Sequence, residues 1–174
     1  MKRVVFIIDD SKKVVMVSGC LLGIPCRFDG VSREVPELRS TLADYQLISF
    51  CPEAAGGMKC PRPPAEIQGG DGAGVLRGSA RVINQAGIDC TMDFLRGAEA
   101  VVKLVQRYHP DFVVLKAKSP SCGVGQIYDG TFTGVLREGD GVTTAFLRSI
   151  GVKVYSEMDF ANSQPPRLGC GNEV

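Results

Sequence analysis

The order of elements along this chain predicts an α/β fold. The expected form is a three-layer sandwich around a short, mainly parallel sheet, Rossmann- or flavodoxin-like, with a small β-hairpin insertion. Three observations carry that expectation. Four short runs rich in Val, Ile and Phe lack strict alternation, as strands buried on both faces do. Segments with helical periodicity lie between them, and strands alternating with helices imply right-handed crossovers. The length, 174 residues, suits one domain with a substantial core, and a single domain over 1–174 is expected.

The first apolar run, Val4 to Ile8, covers five residues and reads as an extra strand. It is too short for a signal-peptide core or a membrane span, and no cleavage-site pattern comes after it. The predicted sheet strands are residues 14–17, 46–50, 112–115 and 152–155. A weak helix is expected over 36–43. Residues 69–86 read as a Gly-rich loop with a short strand, in a hairpin arrangement. The strongest helix is 91–108, where Leu95, Ala98, Val101 or Val102, Val105 and Tyr108 recur every three to four residues. Asp89 or Thr91 can cap its start, and Pro110 stops it. Residues 127–132 predict a tight hairpin with Asp129-Gly130 at the turn. A second helix over 142–150 ends at Gly151. The tail over 161–174, with Pro165-Pro166, is expected to be loosely ordered.

Composition narrows the function classes. A hydrophobic share of 44% and a charged share of 22% are ordinary for a globular protein. The net charge of +1 gives no bulk attraction to nucleic acid or to a membrane surface. Without an export signal the expected compartment is cytoplasmic and reducing, where structural disulfides are rare. Seven cysteines in such a setting point to metal ligation or redox chemistry.

Three of them occupy equivalent places. Cys20 comes after the strand ending at Val17, Cys51 after the strand ending at Phe50, and Cys122 after the strand ending at Leu115 and a Ser119-Pro120-Ser121 turn. The carboxyl ends of parallel strands open on one crevice, so the three thiols are expected to converge. A single cysteine is more often a small buried hydrophobe; three at strand ends beside Gly, Pro or Ser weigh toward ligation. Zinc favours four ligands in paired spacings. The lone histidine, His109, stands at a helix end away from the strand tops, which disfavours a zinc site and a Cys–His pair alike. A cubane cluster on three thiolates would leave one iron open.

Several collinear stretches carry a family resemblance. They are Ser18-Gly19-Cys20-Leu21-Leu22-Gly23 with Cys26-Arg27-Phe28-Asp29-Gly30, then Cys51-Pro52-Glu53-Ala54-Ala55-Gly56-Gly57. Next come Pro61-Arg62-Pro63-Pro64-Ala65-Glu66-Ile67 and Lys116 with Ser119-Pro120-Ser121-Cys122-Gly123. The last is Tyr128-Asp129-Gly130-Thr131-Phe132 with Gly139-Asp140-Gly141-Val142-Thr143. Over about residues 14–157 the chain resembles the small bacterial iron–sulfur-dependent thiouracil desulfidases. The resemblance implies an oxygen-sensitive [4Fe–4S] cluster on Cys20, Cys51 and Cys122, and removal of sulfur from 2- or 4-thiouracil to give uracil and hydrosulfide. Cys26 is outside the three ligands, with a fourth, reserve or resting-state thiol as its alternative role; Cys60 reads as incidental, and Cys90 and Cys170 as structural or incidental.

These stretches also supply the expected site. Glu53 is the first choice for acid–base work, against a plain helix N-terminal carboxylate, and Ser119 and Ser121 either hold the pyrimidine edge or an addition intermediate or cap the turn around Pro120. Asp29, Arg62 and Lys116 are expected to bind substrate, although Asp29 with Gly30 also reads as a turn near the site, and Arg62 and Lys116 could pair with Glu66 or Asp29 as scaffold ion pairs. The expected partners are a small thiolated pyrimidine and the cluster-assembly machinery. No membrane contact and no stable nucleic-acid binding are expected. Two alternatives stand beside this reading: an iron–sulfur sensor or electron carrier, and a desulfidase of thiolated nucleosides or transfer RNA.

Overall fold

A computed structural model describes residues 11–160. The run Val4 to Ile8 and the tail 161–174 lie outside the described residues. Four parallel strands form the central sheet, β1 (Val14–Ser18), β2 (Gln46–Phe50), β5 (Phe112–Leu115) and β8 (Val154–Ser156). Their order is β2-β1-β5-β8, and every neighbour pair is parallel. Counted within the sheet alone this is 2-1-3-4, the flavodoxin-like order, with its reversal between β1 and β5.

Alternation across the pleat sorts the core into two layers. Val15, Val17, Phe112 and Val114 pack with Leu21, Leu38, Leu42 and Phe160 on one face. That face is covered by the 3₁₀ turn Gly19–Leu22, helix α1 (Pro36–Thr41) and the 3₁₀ turn Glu157–Phe160. Val14, Met16, Val113 and Leu115 pack with Ile48, Phe50, Val101 and Leu147 on the other. There the cover is α4 (Thr91–Tyr108) and α5 (Val142–Ser149). The three layers are thus the expected ones. All five residues of β1 are buried, which is why its sequence does not alternate.

The boundaries differ where caps decide them. Helix α4 spans the expected residues, but its N-cap position falls on Cys90, which makes no side-chain cap bond; Asp89, one residue earlier, accepts from Thr91 N at 2.9 Å through Oδ1. Thr91 Oγ1 is occupied elsewhere, accepting from Val82 N at 3.0 Å. The last strand starts two residues later than expected because Val152 N still bonds to Leu147 O at 3.0 Å, closing the end of α5.

Two short hairpins complete the fold. β3 (Ala65–Gln68) pairs antiparallel with β4 (Arg81–Asn84), and the short helix α3 (Gly72–Leu76) fills the connection. β6 (Gln126–Tyr128) pairs antiparallel with β7 (Leu136–Glu138). The expected tight turn at Asp129-Gly130 is therefore corrected: the partner strand begins at Leu136, so a loop over 129–135 joins the two. The reason is Gly130, whose N–H is drawn to Glu66 Oε2 at 2.9 Å, 64 residues away in sequence. Among the described residues no helix is long and apolar enough to cross a membrane.

Candidate metal centre and its cavity

The carboxyl ends of β1, β2 and β5 open on a cavity of about 660 Å³. Cys20, Cys51 and Cys122 all line it, and Cys26 joins them. The turn at the end of each strand places its thiol. The chain leaves β1 into the 3₁₀ turn that carries Cys20. It leaves β2 at Cys51, directly before helix α2 (Pro52–Ala55), whose Pro52 suits a first helical position. After β5 it makes a turn in which Ser119 Oγ accepts from Ser121 N at 3.1 Å and Cys122 N at 3.2 Å.

Close backbone contacts fix α2 against the helical layer. A Cβ on Gly97 of α4 would lie 2.2 Å from Pro52 O, and one on Gly56 would lie 2.1 Å from Asp93 O. Only hydrogen at both positions permits that approach, which sets the height of Cys51 over the sheet.

The thiols interact with one another. The neighbouring Cys20 thiol is the main reason the Cys26 thiol is pushed up to about 11, and Cys51 Sγ donates to Cys26 O at 3.7 Å. Cys51 is raised far more, first by the bond with Cys26 and then by burial. Cys122 is raised by complete burial and next by the charge of Cys51, against hydrogen bonds from Ser18 and Ser121 that favour its thiolate. Ser18 Oγ lies 3.7 Å from Cys122 Sγ. Neighbouring thiolates repel until a cation neutralises them, so mutual raising of this kind suits a set of thiols built for a metal.

Among the described residues no three His, Cys, Asp or Glu side chains are placed to hold a single metal ion. A cluster poses a different requirement, because its thiolates bind different irons and stand further apart than the ligands of one ion. The four soft thiols around one crevice fit that donor chemistry. His109 is at the opposite end of the sheet, in the left-handed C-cap of α4 with φ 45°, as expected.

The other expected site residues divide into two groups. Glu53, Arg62, Lys116 and Ser119 line the cavity. Arg62 Nε and Nη2 both reach Glu53 Oε2, at 2.8 and 2.6 Å, and Nη2 also donates to Cys26 O at 3.1 Å. Lys116 Nζ pairs with Glu157 Oε1 and donates to Ala117 O at 3.3 Å. Arg62 and Lys116 thus have partners, Glu53 and Glu157, that differ from the expected Glu66 or Asp29.

Ser121 and Asp29 are absent from the lining. Ser121 is buried and shares a hydrogen bond of 3.0 Å with Thr143 Oγ1, so it supports the Cys122 turn from beneath. Asp29 takes Arg27 Nε at 3.0 Å and Nη2 at 2.7 Å and accepts from Val31 N. The Arg27 guanidinium holds the Asp29 carboxyl down to about 2. Its work is to aim Arg27, which does line the cavity and lies over the Phe28 ring at 5.4 Å.

Reasoning from sequence missed Arg27, Phe28, Gln85, Lys118 and Phe132 as lining residues. Arg27, Phe28 and Phe132 sit inside the stretches that carry the resemblance, which is the signal that could have found them. Gln85 and Lys118 carry none. Cys60 is exposed, its thiol turned to Pro25 O and Arg27 O at 3.5 and 3.2 Å, and is absent from the cavity lining.

The chain is similar to known proteins over most of its described length. A family model described as 2-thiouracil desulfurase matches residues 15–159. The uncharacterized protein YbbK of Bacillus subtilis (strain 168) is 40% identical over 144 residues, covering 83% of this chain and 95% of its own length. The solved structure of the [4Fe–4S]-dependent thiouracil desulfidase TudS superposes with a TM-score of 0.75 at 43% identity, over 85% of this chain and 93% of that one.

Proposed function

We propose, from the premise that the chain belongs to the 2-thiouracil desulfurase family, that it is a single-domain [4Fe–4S]-dependent enzyme that hydrolyses a thiolated uracil to uracil and hydrosulfide. The observation that carries this reading is the convergence of Cys20, Cys51 and Cys122 at one cavity in a fold shared with TudS. These three are the proposed cluster ligands. Cys26 is a further thiol on the same cavity lining. Cys20, Cys51 and Cys122 would hold the cluster, which would supply Lewis-acid chemistry toward the substrate's sulfur.

The chain's own residues do the rest. Both Arg62 bonds land on Glu53 Oε2, which leaves Oε1 to accept a proton from water as it adds to the ring carbon. Arg62 fixes that carboxylate and does not face substrate with a free charge. Ser119 Oγ spends its acceptor capacity on two backbone amides and keeps its one proton to donate to the substrate. Lys116 Nζ has three donors, two of them used by Glu157 and Ala117; the third is the proposed contact to the pyrimidine oxygen. Ser121 and Asp29 act as supports, for Cys122 and Arg27 respectively. The overall change consumes one water and needs no external electron donor.

A second reading of substrate keeps the same chemistry on a thiolated nucleoside, in a cavity whose volume of about 660 Å³ is shared between cluster and substrate. Anaerobic reconstitution, iron and sulfide counting, and incubation with 2- and 4-thiouracil and their nucleosides test both readings. Cluster absorbance and uracil or uridine formation are expected, and Cys20→Ala, Cys51→Ala or Cys122→Ala should abolish the absorbance while Cys60→Ala preserves it. No cluster under those conditions defeats the central reading; a stable cluster with no desulfuration defeats the substrate.

A further inference from the structure

Residues 128–132 belong to the resemblance, yet no step above uses them. Their anchor is Glu66 of β3, a buried carboxylate that pairs with no cation among the described residues. Its Oε2 accepts from Gly130 N at 2.9 Å and from Phe132 N at 3.0 Å. Gln68, two residues along the same strand, donates from Nε2 to Gly130 O at 3.0 Å. Strand β3 therefore grips the loop at three backbone atoms.

The grip holds Phe132 at φ 60°. A bulky side chain enters that left-handed region only where its surroundings impose it. Phe132 and Glu66 both line the cavity that holds the thiols, as does Phe28. A buried acid whose Oε2 is taken by two backbone amides and a restrained aromatic, both at the binding cavity, make sense together as a device for placing a ring.

We propose that Phe132 is the stacking platform for the substrate's pyrimidine ring and that Glu66 is the positioning residue that sets it there. This rests on the desulfidase reading and deepens it. A uracil ring is flat and presents a π-face that an aromatic side chain binds whatever the edge carries. Edge contacts to Lys116 and Ser119 then fix its rotation in the plane. Stacking is present before water adds, so it acts as ground-state binding and shows in KM more than in kcat.

The test uses reconstituted holoenzyme, with binding and turnover both measured. Calorimetry compares uracil with dihydrouracil, which keeps the polar edges and loses the aromatic face. Phe132→Ala should weaken uracil binding about 10-fold, within the span measured for base–aromatic stacking, and leave dihydrouracil nearly unchanged. KM for thiouracil should rise by a similar factor with kcat changed less than about twofold, while cluster absorbance stays at the wild-type level. Phe132→Tyr should retain wild-type binding. Glu66→Ala should weaken uracil in the same sense and add little in the Phe132→Ala background. Glu66→Gln, whose amide oxygen can still accept both N–H groups, should recover most of the loss. If Glu66→Ala does not fold, the Phe132 variants and Glu66→Gln carry the test. Equal weakening of both ligands, or none, in Phe132→Ala overturns the proposal. Wild-type holoenzyme that binds uracil but desulfurates nothing overturns the desulfidase reading, and the uracil comparison still decides the stacking.

Discussion

Replacing Gly97 by Ala sets two physical effects of opposite sign against each other. Within a helix, Gly→Ala is ordinarily favourable by about 1 kcal/mol, because glycine surrenders more backbone entropy. Here the added methyl would sit 2.2 Å from Pro52 O and 2.9 Å from Pro52 C. Both are backbone atoms, so no rotamer change relieves the contact. Restoring an ordinary carbon–oxygen approach requires α2 to move by roughly 1 Å or more. Overpacking of this kind costs about 1–3 kcal/mol, and a contact with main chain belongs at the upper end. The net expectation is a loss of about 2 kcal/mol, or a Tm lower by roughly 4–8 °C for a domain of this size. Cys51 immediately precedes α2, so the same movement should lower iron content after reconstitution, a cost of losing placement at a built site. Thermal unfolding of the metal-free protein by circular dichroism separates the stability effect from the metal effect. A Gly97→Ala protein with raised Tm and full iron content would show that the contact between α2 and α4 is not as tight as described.

Two further outcomes concern buried and partly buried charge. Lys116→Met removes the partner of Glu157, which is only 6% exposed, and should cost about 3 kcal/mol, the low end for breaking a buried pair. Chemical denaturation reads this, and the Lys116→Met, Glu157→Gln double variant should regain part of the loss; a single variant as stable as wild type refutes it. Asp29, held at about 2 by Arg27, is lowered on folding, so its contribution is present above pH about 4 and fades as pH falls toward 2. Because the side chain is a third exposed, solvent screening limits that contribution to under about 1 kcal/mol. Asp29→Asn should therefore lower Tm slightly at neutral pH and not at pH 2; a gap that persists unchanged to pH 2 counts against the pair.

Legibility depends on the range of the interaction involved. The strand over 14–17 and helix α4 can be read locally, since two-sided burial and a one-sided apolar stripe leave marks in consecutive residues. The hairpin at residues 127–132 is looser than its turn residues imply because a distant carboxylate, Glu66, captures Gly130 and Phe132. Local turn chemistry cannot report a partner 64 residues away. The ion partners of Arg62 and Lys116 escape the sequence for the same reason, and so does the withdrawal of Ser121 toward Thr143.

By itself the sequence determined the layered α/β architecture, the strand-end placement of Cys20, Cys51 and Cys122, and the exclusion of His109 from their company. These arise from burial, periodicity and the geometry of parallel strands, which act on neighbouring residues. Tertiary structure alone decided that Ser121 is drawn away to Thr143, that Arg62 and Lys116 pair with Glu53 and Glu157, and that Glu66 restrains the loop carrying Phe132. Each of those is a contact between segments apart in the chain. Such contacts exist only once packing has brought their elements within a few ångströms, and no pattern in consecutive residues records them.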